Sequence, residues 1–121
     1  MEVSQEDLEQ QLMELLLRGD HPVLTVLRQQ YAFAKIVSRK FSGVGFFTSF
    51  EVPDDAPLVH PSNFEAEGIL IDLENLPGGA DCVLFVRNGK LDFLECYTFI
   101  DAWPDRIVIK SLSNIRPAIP E

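Results

Sequence analysis

"CVLFVRNGKLDFLECYTFI", residues 82–100, decides how the second half of the chain folds. Two apolar runs flank Asn88-Gly89, the dipeptide best suited to a two-residue hairpin turn because both central positions need positive φ. With Arg87 opposite Lys90, strict alternation places Cys82, Leu84, Val86, Leu91, Phe93, Glu95, Tyr97 and Phe99 on one face and Cys96 on the other. Side chains on opposite faces cannot meet, so no Cys82–Cys96 disulfide is expected. The same register sets Glu95 alone among apolar neighbours. A desolvated carboxyl of this kind suits general-acid work, or it pairs structurally with an arginine or a tyrosine hydroxyl. The sequence places no histidine, serine or second carboxylate beside it.

Upstream, "FSGVGFFTSF" at 41–50 joins two further β-patterned runs, 34–41 and 46–52. One strand across both would be about three times the usual strand length, so the chain turns or bends between Phe41 and Phe46. A loop over Ser42 to Gly45 sets Phe41 against Phe46, Arg39 against Thr48 and Val37 against Phe50, collecting the apolar residues on one face. A phosphate-binding reading of these glycines needs a helix start right after them, and strand follows instead. Whether the stretch is a hairpin turn or a bend in one long strand stays open at this level.

Around these lie strands predicted at 67–73 and 106–112, loops at 53–65 and 74–81, and a proline-broken tail at 113–121. The N-terminal third reads as helical. Ser4 with Asp7 forms a variant capping box, and Leu8, Leu12, Leu15 and Leu16 make one stripe, predicting a helix over 5–18 closed by Gly19. Asp20 can cap a second helix over 22–33 with Pro22 in its first turn. The Arg18-Gly19-Asp20 triplet is accounted for by that connection. The expectation is one α+β domain over 1–121: two N-terminal helices packed on an antiparallel β-meander of about five to six strands.

Composition narrows the function classes. Of 121 residues, 46% are hydrophobic and 24% charged, the balance of a folded globular chain. Nine phenylalanines against two tyrosines and one tryptophan put most aromatic mass in rings that cannot hydrogen-bond. The formal net charge of −9 argues against nucleic acid and anionic membrane, which need clustered Lys and Arg. The acidic N-terminus does not read as a secretory signal, and two cysteines fit a reducing cytosol, so a cytoplasmic protein is expected. Cys82, Cys96, His21 and His60 lack metal-ligand spacing, and no cofactor motif occurs.

What remains is the distribution of acid. Glu51, Asp54, Asp55, Glu65 and Glu67 bracket the proline-rich loop at 53–65, where a negative patch would attract a basic partner. Trp103, held extended by Pro104, closes one end of a core or anchors a partner. The stretches "GVGFFT" at 43–48 and "LDFLECYT" at 91–98, with Trp103-Pro104, resemble a group of small bacterial proteins of unassigned activity. The resemblance implies a bacterial cytosolic protein and no catalytic residues; more loosely, the chain looks like small acidic proteins that neutralise toxins. The expected function is therefore a protein-binding module such as an immunity protein or inhibitor, more an interaction protein than an enzyme. The alternative is a small-molecule-binding domain or small enzyme using Glu95 in a pocket between helices and sheet.

Overall fold

In a computed structural model of the chain, which describes residues 1–119, the Ser4 hydroxyl accepts the Asp7 N–H at 3.1 Å and opens α1 (Gln5–Leu16). Its buried stripe is Leu8, Glu9, Leu12, Met13 and Leu16. The helix ends two residues before the predicted limit. Arg28 explains how: its guanidinium reaches back to the carbonyls of Leu17 and Gly19, satisfying the end of α1 from the next helix. That next helix is α2 (Pro22–Phe33), and its cap is His21 rather than Asp20. The His21 Nδ1 accepts the Val23 N–H at 3.1 Å, which occupies one of the two histidines in a structural task.

The remainder forms one seven-stranded antiparallel sheet, one or two strands more than expected. The strands are β1 (Glu2–Val3), β2 (Lys35–Phe41), β3 (Gly45–Glu51), β4 (Phe64–Leu73), β5 (Leu76–Arg87), β6 (Lys90–Thr98) and β7 (Ile107–Asn114). Their spatial order, β1-β7-β4-β5-β6-β3-β2, is not the predicted meander. The segment 52–63 carries the chain from β3 past β6 and β5 to β4, and 99–106 carries it from β6 past β5 and β4 to β7. Both crossings run around the ends of the sheet, so the connections need length and not secondary structure. The predicted loop at 74–81 is mostly strand: only Glu74 and Asn75 turn, and Leu76, Ala80 and Cys82 are buried in β5. The predicted tail begins within β7, and its last two positions, 120 and 121, lie outside the described residues.

Both helices cover the same face of the sheet, α1 over β4 and β7 and α2 over β6. Between them lies the core, with Phe46, Ile69, Ile71, Leu73, Leu84 and Leu94 fully buried or nearly so. The sheet's two edges are unlike. β1 covers β7 with two residues, whereas β2 leaves seven residues of backbone unpaired on its outer side. Exposed Lys35 and Lys40 and a register shift at Val37 break up that edge, as edge strands need if they are not to pair with other chains.

The Asn88-Gly89 turn is present, with φ of 56° and 77°, and Arg87 faces Lys90 as expected. The face assignment drawn from it is overturned. Between Phe85/Phe93 and Val86/Leu91 the register shifts by one, leaving Asp92 as an extra residue on β6. Beyond the shift every side chain changes face. Cys82 stands directly opposite Cys96, both buried on the helix side, and both are free thiols. Glu95 instead pairs with Val83 on the side away from the helices. Without the shift, Glu95 would lie under the helices and Leu94 in solvent, a poor exchange for the core. Gln30 steadies this corner: its amide donates to Gly89 O at 2.8 Å and Pro57 O at 2.7 Å, and accepts Leu91 N–H at 3.0 Å.

Residues 42–44 are a turn, with Phe41 opposite Phe46 and Arg39 opposite Thr48; the shift at Val37 puts Ile36, not Val37, opposite Phe50. Gly43 has φ +87° with open space around it, whereas a Cβ on Gly45 would lie 1.8 Å from the Cys96 carbonyl oxygen. One glycine serves conformation and the other close approach of β3 to β6. Gly43→Ala should therefore lower stability by about 1 kcal/mol. Gly45→Ala should cost several times more, because backbone must move. Chemical denaturation of the two variants checks this; equal losses would refute the distinction.

Candidate functional site

Among the described residues the most buried carboxylate is Glu9, 2% exposed on the inner side of α1. Arg39 grips it with two hydrogen bonds of 2.8 Å, Thr48 Oγ1 donates at 2.6 Å, and Gln5 donates at 2.9 Å. Burial pushes its carboxyl up, but the bonds from Arg39, Thr48 and Gln5 outweigh burial and hold it below the ordinary range. A carboxylate accepting four hydrogen bonds from within the fold is a strut between α1, β2 and β3. The two thiols are unreactive: burial drives Cys82 and Cys96 well above the ordinary cysteine value, so neither is a nucleophile near neutral pH.

The face of the sheet without helices is different in kind. Register places on it Phe47, Glu95, Val83 and Glu67 in one row across β3, β6, β5 and β4. Ser49, Phe93, Phe85 and Glu65 form the next row, and Gly45, Tyr97, Asp81 and Leu70 the row on the other side. Phe85 and Phe93 stack at 4.3 Å between centroids and 17° between planes, and Phe47 tilts against Phe93 at 6.2 Å. Tyr97 meets Phe99 edge-on at 6.2 Å. These rings shield one another, so Phe47, Phe85, Phe93 and Tyr97 are each only half-buried on a face no helix covers.

Carboxylates surround this aromatic patch. Glu65 lies 3.7 Å from Arg87, and Glu67 is held by Arg116 at 2.8 Å. Glu95 and Asp81 take part in no ion pair among the described residues. Asp81 accepts the Cys82 N–H at 2.7 Å, yet burial, with Glu67 adding to it, raises its carboxyl above the ordinary value. Burial and the nearby charges of Asp81, Glu67 and Glu95 likewise push the Tyr97 hydroxyl up. The four groups share one small, electronegative area.

The sequence-predicted residues distribute as follows. Glu65 and Glu67 lie on the open face itself. Glu51, Asp54 and Asp55 lie at the end of the sheet near the Asn88-Gly89 turn, where Asp54 approaches Lys90 at 3.5 Å and Glu51 faces Lys35. Glu95 does not sit in a pocket between helices and sheet, because the Asp92 shift turns it outward. Trp103 belongs to the opposite end. Its ring packs edge-on against Phe46 at 5.3 Å, and its backbone N–H donates to Gly43 O at 2.8 Å, closing the core beside an open cleft of about 520 Å³. His60 is an exposed residue of the 52–63 segment. Sequence reasoning placed the acidic Asp81 in a loop rather than in β5, and missed the Phe47–Phe85–Phe93 cluster, which only the true register assembles. It also missed Glu9, although its place in line with Leu12, Met13 and Leu16 was a visible signal of a buried, partnered acid.

No helix among the described residues is long and apolar enough to cross a membrane, and no group of three or more metal-ligating side chains converges among them.

Two stability measurements test these assignments. Arg39→Met leaves Glu9 buried without its partner and should cost about 3 kcal/mol near neutral pH. Because the Glu9 carboxyl is lowered on folding, its contribution is present above the ordinary glutamate range and is lost as pH falls through the folded value. The Arg39→Met loss should shrink accordingly in acid; a pH-independent loss would show that the pair carries no such linkage. Asp81 has the opposite sign. Its carboxyl is raised on folding, so the folded state is penalised above the ordinary aspartate value and relieved in acid. Asp81→Asn should be more stable than the parent near neutral pH and indistinguishable from it in strong acid, as read by urea denaturation.

Comparison with protein-family models, with curated proteins and with solved structures finds no match for this chain.

Proposed function

We propose that the protein is a binding module for a basic protein partner, in the manner of an immunity protein or inhibitor, and that it docks through the helix-free face of the sheet. The observation that carries this reading is the pairing on that face of a stacked phenylalanine cluster with a ring of carboxylates, of which Glu95 and Asp81 are in no ion pair among the described residues. An aromatic centre supplies the desolvated contact from which interfaces draw most of their energy, and carboxylates at its margin select a positive partner. The net charge of −9 supports the same sign. Glu51, Asp54 and Asp55, at the end of the sheet, act at longer range as steering charges. Trp103, committed to Phe46 at the other end, stands outside this surface. The alternative of a Glu95 pocket has no support in the geometry, since Glu95 lies on the side away from the helices.

Steering and docking separate kinetically. Steering charges act on association and are screened over about 8–10 Å at physiological salt, whereas the packed centre governs dissociation. With a partner captured from the native host and identified, association should slow roughly tenfold between low and physiological salt. Asp54→Asn with Asp55→Asn should slow it further and leave dissociation unchanged. Phe93→Ala should do the reverse, speeding dissociation tenfold or more with the fold intact by circular dichroism. An acidic partner, or binding indifferent to salt and to all these substitutions, would overturn the proposal.

A further inference from the structure

We infer that the open face recognises arginine in particular, seating a partner's guanidinium against the Phe47–Phe93–Tyr97 rings and pairing it with Glu95. The inference rests on the docking reading above and names the side chain that the surface is shaped to take.

Glu95 is placed for this by the register. Phe47 stands directly across from it on β3, Val83 across from it on β5, and Phe93 and Tyr97 precede and follow it by two residues on the same face. Directly opposed residues in an antiparallel pair have Cβ atoms roughly 5 Å apart, and same-face neighbours along a strand are about 7 Å apart. A cation that pairs with this carboxylate must therefore lie within van der Waals reach of at least one ring. Glu65 and Glu67 already face Arg87 and Arg116, so Glu95, with Asp81 one row away, carries the charge left for a partner. The nearest other cation by register is Lys40, across β3 from Phe47 at the margin of the patch.

The chemistry of such a place favours one cation. A lysine ammonium is compact and strongly hydrated, and it would lose water on entering a cluster of hydrocarbon rings. A guanidinium is planar and weakly hydrated. It can stack on a ring while presenting two N–H groups to one carboxylate. The molecule contains its own instance of this on the same face. The Arg87 guanidinium lies over the Phe85 ring, 5.2 Å from its centroid, while donating to Val86 O at 2.9 Å and Phe64 O at 3.3 Å. Phe85 is stacked on Phe93, so the arginine already present and the arginine inferred would flank the same pair of rings.

The test uses two synthetic peptides of equal length and charge, four arginines alternating with glycine and four lysines alternating with glycine. Each is titrated into the isotopically labelled full chain and followed by nuclear magnetic resonance. The arginine peptide should bind at least tenfold more tightly, with shifts centred on Phe47, Phe93, Glu95 and Tyr97. Glu95→Gln should reduce its affinity to that of the lysine peptide, and Phe93→Leu should abolish the preference while both variants keep the parent's spectrum elsewhere. Equal affinity of the two peptides at this face would overturn the arginine inference and leave the basic-partner reading standing. Shifts confined to the loop around Asp54 and Asp55, or binding by neither peptide, would overturn both.

Discussion

One extra residue on β6 organises this protein. Side chains on a strand alternate with period two, so a single-residue shift exchanges the two faces from that point onward. At Asp92 the shift brings Leu94 and Cys96 under the helices with Leu91, and sends Phe93, Glu95 and Tyr97 outward. The core then reads continuously across the sheet from Phe46 through Cys96 and Cys82 to Ile69. The outward face inherits rings and carboxylates that a regular hairpin would have divided differently. Core and candidate surface are two consequences of the same local irregularity.

Two polar side chains on the helices hold that arrangement in place. Gln30, fully buried, ties α2 to the Asn88-Gly89 turn just before the shift. Glu9 ties α1 to β2 and β3 through Arg39 and Thr48. Neither adds much net stability over an apolar residue of the same shape, but each leaves costly unpaired groups if the elements slide. They act on specificity of packing. A helix pair resting on a sheet by apolar contact alone could settle in neighbouring positions, and these bonds have partners in only one.

Glu9 is held by bonds within the fold and both core thiols are protonated, whereas the uncovered side of the sheet presents half-exposed rings and carboxylates, which is why the proposed docking surface is placed there. Aromatic rings that shield one another can remain half-exposed without becoming an indiscriminate adhesive patch, because the carboxylates around them repel copies of an equally acidic chain. On the proposed reading, the same charges would attract a basic partner. This balance explains how a surface rich in phenylalanine can coexist with a net charge of −9.

Local features were legible in the sequence wherever a short-range rule acts alone. Ser4 capping the first helix, the Asn88-Gly89 turn, the Phe41–Phe46 pairing and the α+β class all depend on neighbours within a few residues. Composition by itself set the sign of the charge. The strand order, the two crossings, the register step at Asp92 and the partnership of Glu9 with Arg39 depend on residues far apart in the chain. They were decided by which packing leaves no buried group unpaired, and no window of sequence contains that comparison. Glu95 shows the division most plainly: its neighbours along the strand were known at once, but which side of the sheet it occupies was settled only by the whole core.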